Sequence, residues 1–123
     1  MKTSPTGHPI SPNPSPKIPA ETRAQAARLL QQFVSEFDGI GVKGAVISTV
    51  DGFDVAMAAI PETDGSRLSA LSSSISAIGD MATLEIGIGK HHESITIEGD
   101  NGYVFILNVP VQEIPMILSI AAT

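Results

Sequence analysis

The chain has 123 residues, a net charge of −6, no cysteine, no tryptophan and a single tyrosine. That length fits one domain, and without a thiol there is no disulfide, thiolate nucleophile or zinc–thiolate site. An acidic chain with no Lys/Arg cluster lacks the cations that hold phosphate backbones or anionic membranes, so neither nucleic acid nor a membrane is expected as a partner.

Met1 to Pro19 carries six of the nine prolines. A segment so composed cannot bury much apolar surface, and residues 1–19 read as a disordered tail ahead of a folding domain at 20–123. Pro9, Pro12, Pro14 and Pro16 would also permit an SH3-type ligand, although linker tails of this composition are common. The N-terminus has no continuous apolar run of the secretory kind. Tyr103–Val109 and Met116–Ala122, the most apolar stretches, are far short of the ~20 residues that span a bilayer. A soluble, cytoplasmic protein is expected. About a hundred folded residues bury only about 60–65% of their unfolded surface, a margin that dimerisation would widen.

A first helix is predicted over Ala20–Phe37, where Leu29, Leu30, Phe33, Val34 and Phe37 recur at helical spacing between Pro19 and Gly39. Strands follow at Val42–Val50 and Phe53–Ile60, joined by Asp51-Gly52, a dipeptide that suits a two-residue hairpin. Asp64 or Ser66 can cap a second helix running to Ile86, which Gly87 and Gly89 end. Three more strands, His91–Glu98, Tyr103–Val109 and Ile114–Ala122, close the chain. Helix, strand, strand, helix and three strands, with hairpin links and no crossover, make an α+β protein on an antiparallel sheet with helices on both faces. Tyr103–Val109 is apolar on both sides and reads as central, whereas His91–Glu98 alternates and reads as an edge.

The second helix carries the functional signal. On a helical wheel Leu68, Leu71, Ile75, Ile78, Ala82 and Ile86 form one stripe, and Ala70, Ala77, Met81, Leu84 and Ile88 another. Ser69, Ser72, Ser73, Ser76, Asp80 and Thr83 fill the remaining arc. A helix resting on its own sheet needs an apolar arc of only ~100° or slightly more. The first stripe is therefore expected on the sheet. The second is expected to meet its own copy across a two-fold axis. Ala70, Ala77, Met81, Leu84 and Ile88 form the expected dimer contact, extended by Ile95 and Ile97 on an unprotected edge strand. The polar arc, with Ser69, Ser73, Ser76, Asp80 and Thr83, is the expected face for other partners.

These residues carry a resemblance. Gly44-Ala45-Val46-Ile47-Ser48 through Asp51-Gly52-Phe53 to Val55-Ala56 is similar to the first hairpin of roadblock (dynein light-chain) domains. The Ala/Ser/Leu-rich helix ending in Gly87-Ile88-Gly89 resembles their long second helix. Ile95-Thr96-Ile97-Glu98, Gly102-Tyr103-Val104-Phe105-Ile106-Leu107 and Ile117-Leu118 resemble their last strands. The resemblance covers Ala20 to Thr123 and implies a five-stranded sheet of order 2-1-5-4-3. It also implies a homodimer with antiparallel second helices and a sheet continuous across both subunits. Bacterial and archaeal members of that family are often partners or activators of small Ras-like GTPases in polarity and motility systems. Eukaryotic relatives are dynein light chains and scaffolds, and no member is known for an active site of its own. One departure is that roadblock domains usually continue into a third helix after the last strand, whereas this sequence stops at Thr123; whether it is cut short there or belongs to a member without that helix, one sheet face is expected to be thinly covered.

Chemistry-like strings fail on context. Gly39 to Gly44 fits G-x-G-x-x-G but follows a helix and opens a strand, the reverse of a dinucleotide site. Gly89-Lys90 lacks the upstream Gly and following Ser/Thr of a phosphate loop. His91 and His92 would point to opposite faces of a strand and are expected to be solvated rather than chelating. Asp51 and Asp54 lack the further oxygens of a calcium loop, and no base is placed to activate a serine. The sequence therefore reads as a non-enzymatic, cofactor-free dimer that binds and regulates a small GTPase. A scaffold or light-chain subunit of a motor or motility assembly is the alternative.

Overall fold

The computed structural model describes residues 18–109 and 115–123. Helix α1 spans Ala20–Phe37 and passes through a single 3₁₀ turn at Asp38–Ile40 into β1 (Val42–Thr49) and β2 (Asp54–Ala58). Helix α2 spans Glu62–Ile86, and β3 (Ser94–Glu98), β4 (Tyr103–Val109) and β5 (Met116–Ala122) follow. The strands form one antiparallel sheet in the order β2-β1-β5-β4-β3. The chain crosses the sheet once, where hairpin links alone anticipate no crossing: α2 carries it from the β2 edge to the β3 edge.

Two turns differ from expectation. The β1–β2 link is a three-residue loop, with the Gly52 N–H donating to Thr49 O at 3.0 Å and the Thr49 N–H to Phe53 O at 2.9 Å. Only Gly52 there takes a positive φ, +93°. Asp51 stays right-handed and the glycine alone makes the reversal, as in a type I turn closed by a bulge. Neither Asp64 nor Ser66 caps α2, which starts from Pro61 with Glu62 and Asp64 in its first turn, where carboxylates suit the helix dipole. The Ser66 hydroxyl instead donates to Asp54 Oδ2 at 2.6 Å, tying α2 to β2.

Register divides the sheet into two faces. Ala45, Ile47, Leu118, Ile120, Phe105 and Leu107 share one. Helix α1 packs there on β1 and β2, with Leu30 and Val34 buried against Ala45, Ala56 and Ala58. The other face presents Val46, Ile106 and Ile117, all fully buried, together with Ser48 and Ser119. Helix α2 covers that face over β1, β2 and β5. Ile18, assigned by composition to the tail, is buried against Val55 and Met116, because a single large apolar residue is enough to fasten a polar segment to a core. Most of the tail lies outside the described residues.

Candidate interaction surface

Helix α2 is seated the opposite way round from the wheel prediction. Gly65, Ser69, Ser72 and Ser76 are its buried residues. Glycine and serine keep side-chain bulk small enough for the helix to lie close on the sheet. A Cβ on Gly79 would stand 2.7 Å from Ile95 Cδ1 and 3.2 Å from the His92 ring, so nothing larger fits without displacement. Two of these serines are paired across that seam, Ser119 Oγ donating to Ser72 Oγ at 2.7 Å and Ser76 Oγ pairing with His92 Nε2 at 2.7 Å, whereas the buried Ser69 hydroxyl has no partner. Ser73 Oγ donates to Val50 O at 2.6 Å.

Ser69 and Ser76 therefore leave the expected partner face, since a side chain under a helix cannot meet another protein. Ser73, Asp80 and Thr83 sit half-buried on its flanks. The seam residues 65, 69, 72, 76 and 79 recur at intervals of four and three. That periodic small-residue arc was the available signal for the sheet-facing side, outweighed by the habit of turning large apolar residues inward.

What the seam displaces is the apolar arc. Leu71, Ile78, Met81, Leu84, Ile86 and Ile88 are each at least 60% exposed. Leu71, Ile78 and Ile86, expected on the sheet, thus join Met81, Leu84 and Ile88 outside. Ala70 and Ala77 are exposed between them, and Ile97 on the β3 edge is exposed as well. Ile95 is half-buried on the α2 side of the sheet, reaching toward Gly79.

One polar node fixes the end of α2 to the start of β3. Asp80 Oδ1 accepts the His92 main-chain N–H at 2.8 Å, and Asp80 Oδ2 lies 3.3 Å from His91 Nδ1. Asn108 Nδ2 donates to His92 O at 2.6 Å. Burial pushes the Asp80 carboxyl pKa up, but the His92 amide, the His91 hydrogen bond and the charge of the two imidazoles together hold it below the ordinary aspartate value. The two histidines precede β3 instead of lying in it. His91 is solvated, but His92 is buried, a correction that no local sequence pattern announced.

Ser76, His92 and Asp80 are also the residue types of a hydrolytic triad. Here Ser76 is 4% and His92 8% exposed, and the carboxylate approaches the same ring nitrogen that faces the serine, at 3.8 Å. A triad places the carboxylate on the other nitrogen and its hydroxyl in reach of substrate, so this cluster is a structural clasp.

Among the described residues no helix is long and apolar enough to cross a membrane. The family model described as Roadblock/LC7 domain matches residues 26–114. Among solved structures the chain is similar to a Roadblock/LC7 domain from Streptomyces avermitilis, at 20% identity and TM-score 0.60, covering 67% of this chain and 66% of that one. It is similar to gliding protein MglB from Thermus thermophilus, at 14% identity and TM-score 0.72, covering 89% of this chain and 78% of that one. Myxococcus xanthus MglB is similar at 13% identity and TM-score 0.69, with 86% and 76% covered. At such identities the likeness is one of fold. No curated protein sequence matches the chain.

Proposed function

We propose that this chain, which belongs to the Roadblock/LC7 domain family, is a homodimeric, non-enzymatic module that binds and regulates a small Ras-like GTPase in the cytoplasm, within a polarity or motility system. The observation that carries the reading is the run of large apolar side chains on the outer side of α2. Six such residues, five spread over a broad outer arc of α2 and Ile88 just past its end, exceed what a solitary soluble domain leaves in water, and the helix has already committed its small-residue side to the sheet. An isologous contact would bury Met81, Leu84 and Ile88 against their copies, with Ala70 and Ala77 allowing close approach and Ile97 continuing the contact onto β3. Ile95 supports that contact from beneath α2.

The regulation would be positional: the dimer holds the partner's switch loops so that the GTPase's own groups align, without supplying a catalytic side chain. The half-buried flank of α2 at Ser73, Asp80 and Thr83 is the polar surface left for that partner. The test is affinity capture of the intact chain's partners from GTP-locked and GDP-loaded native lysates, followed by hydrolysis assays with any GTPase recovered. Stronger recovery with GTP together with altered hydrolysis supports regulation. Unchanged hydrolysis would make the chain a scaffold, and recovery of assembly proteins without a GTPase would end the reading.

A further inference from the structure

Helix α2 crosses the sheet transversely to the strands, and three contacts fix its line. A Cβ on Gly65 would stand 2.6 Å from Met57 Sδ on β2, Ser72 Oγ accepts from Ser119 Oγ on β5, and a Cβ on Gly79 would stand 2.7 Å from Ile95 Cδ1 on β3. Strand pairing sets Met57, Val46, Ser119, Ile106 and Ile95 side by side in a single row. The rise of a helix from residue 65 to residue 79 is about 21 Å, and the width from β2 to β3 is about 19 Å. The helix has therefore reached the edge of the sheet by Gly79. It nevertheless continues to Ile86, about 10 Å further, with none of its own sheet beneath.

That overhanging arm is apolar on opposed sides. Met81, Leu84 and Ile86 are 69%, 61% and 75% exposed, and Leu84 and Ile86 point about 160° apart around the helix. No single surface covers both, and a helix that is apolar all round belongs in an interior. The same sheet face holds a second apolar row, Ile97, Val104 and Ala121, two residues along from Ile95, Ile106 and Ser119. Ile97 is 41% exposed, and Val104 and Ala121 are half-buried, because α2 follows the neighbouring row. β3 is the outermost strand on that side, and its open edge can pair with its own copy. A two-fold axis at that edge sets the α2 of a second copy antiparallel to this one. The incoming helix must miss the row that α2 already fills. The vacant row lies about 7 Å along the strands, close to the spacing of about 8–10 Å between packed helices. An arm of about 10 Å also spans two strand spacings of about 4.8 Å, enough to pass over β3 and β4 and so over Ile97 and Val104.

We infer that the last turns of α2, Met81–Ile86, reach across the two-fold axis and cover Ile97 and Val104 on a second copy of the chain, each subunit lending the other its arm. This arrangement rests on the homodimer proposed above and names the surface that each copy offers. With no native cysteine, a nitroxide on E85C, an exposed polar position of the arm, is the only label. Mixed with unlabelled chains, it should broaden their Ile97 and Val104 amide signals and leave that of Met57, on the far edge of the sheet, sharp. In the native chain, hydrogen exchange at amides 84–86 should slow several-fold as concentration rises through the dimer range, while amides 69–76 stay unchanged. Ile97→Lys, at an exposed position, should weaken association about tenfold or more by sedimentation, with the far-UV spectrum kept. In a chain that dimerises, the absence of either the broadening or the exchange effect overturns the arm and leaves the homodimer standing, as does an I97K protein that associates as tightly as wild type. A chain that stays monomeric throughout overturns both.

Discussion

Replacing Met81 and Leu84 together by aspartate strikes the outer side of α2 while leaving the sheet seam intact. Both side chains are at least 61% exposed in the single chain, so neither holds its core. Fully burying a Leu or Met is worth about 1.5–3 kcal/mol. With roughly two-thirds of that burial still available, each would contribute about 1–2 kcal/mol to the proposed contact. A two-fold axis counts each residue twice, so the pair is worth about 4–8 kcal/mol before any cost of desolvating the new carboxylates. Every 1.4 kcal/mol is tenfold in Kd, and association should weaken by about a thousandfold or more. Sedimentation equilibrium across the micromolar range reads this, with far-UV circular dichroism to verify that the helix persists. A wild-type chain that stays monomeric throughout, or an M81D/L84D protein that associates as tightly as wild type, refutes the reasoning.

Gly79→Val should cost about 1–3 kcal/mol by urea denaturation, since its Cβ would meet Ile95 Cδ1 at 2.7 Å and overpack the seam; unchanged stability would mean that α2 does not lie so close. Ser72→Ala should cost about 1–3 kcal/mol by orphaning the buried Ser119 hydroxyl, and the S72A/S119A double variant should lose less than the sum of the single changes. Ser69→Ala should be neutral or stabilising, because that buried hydroxyl has no partner. Asp80→Asn should destabilise by about 1 kcal/mol near pH 7 through weaker bonds to the two histidines. Because the folded carboxyl titrates below its ordinary value, its stabilisation is fully present above that value and is lost as pH falls through the folded pKa. The gap between D80N and wild type should therefore close only in that acid range, and a gap that closes near neutrality would point to the histidines instead.

How much of this was legible depends on which physical signal each element carries. Helix α1 came out with the observed limits because Leu30 and Val34 lie on a single apolar stripe bounded by a proline and a glycine. The strands were legible because alternation and turn residues agree, and the edge position of β3 followed from its polar face at Ser94, Thr96 and Glu98. The orientation of α2 was not, for a reason that generalises. Periodicity shows that a helix has two unlike sides, but not which side faces the sheet when the more polar one carries mostly small neutral residues and a single carboxylate, Asp80. Here close approach through Ser69, Ser72, Ser76 and Gly79 won over the larger transfer energy of Leu71 and Ile78. His92 was missed for another reason: its burial depends on Ser76, sixteen residues away, and on Asn108, sixteen residues away on the other side, pairings that no local pattern contains.

The seam has a thermodynamic consequence for the proposed dimer. Serine and glycine remove little apolar surface from water, so α2 gains little hydrophobic stabilisation from its own sheet compared with what Leu71, Ile78, Met81, Leu84, Ile86 and Ile88 could gain outside. Much of the helix's stabilisation would then be deferred to association, and folding and dimerisation would become one equilibrium. For a dimer of about 200 folded residues, a hundredfold rise in concentration supplies about 2.7 kcal/mol, which corresponds to a Tm increase of about 5–10 °C. Scanning calorimetry at two such concentrations reads the shift. A concentration-independent Tm would show that the small-residue seam and the Asp80 node hold α2 by themselves, and the apolar arc would then have to be explained by a partner other than a second copy of the chain.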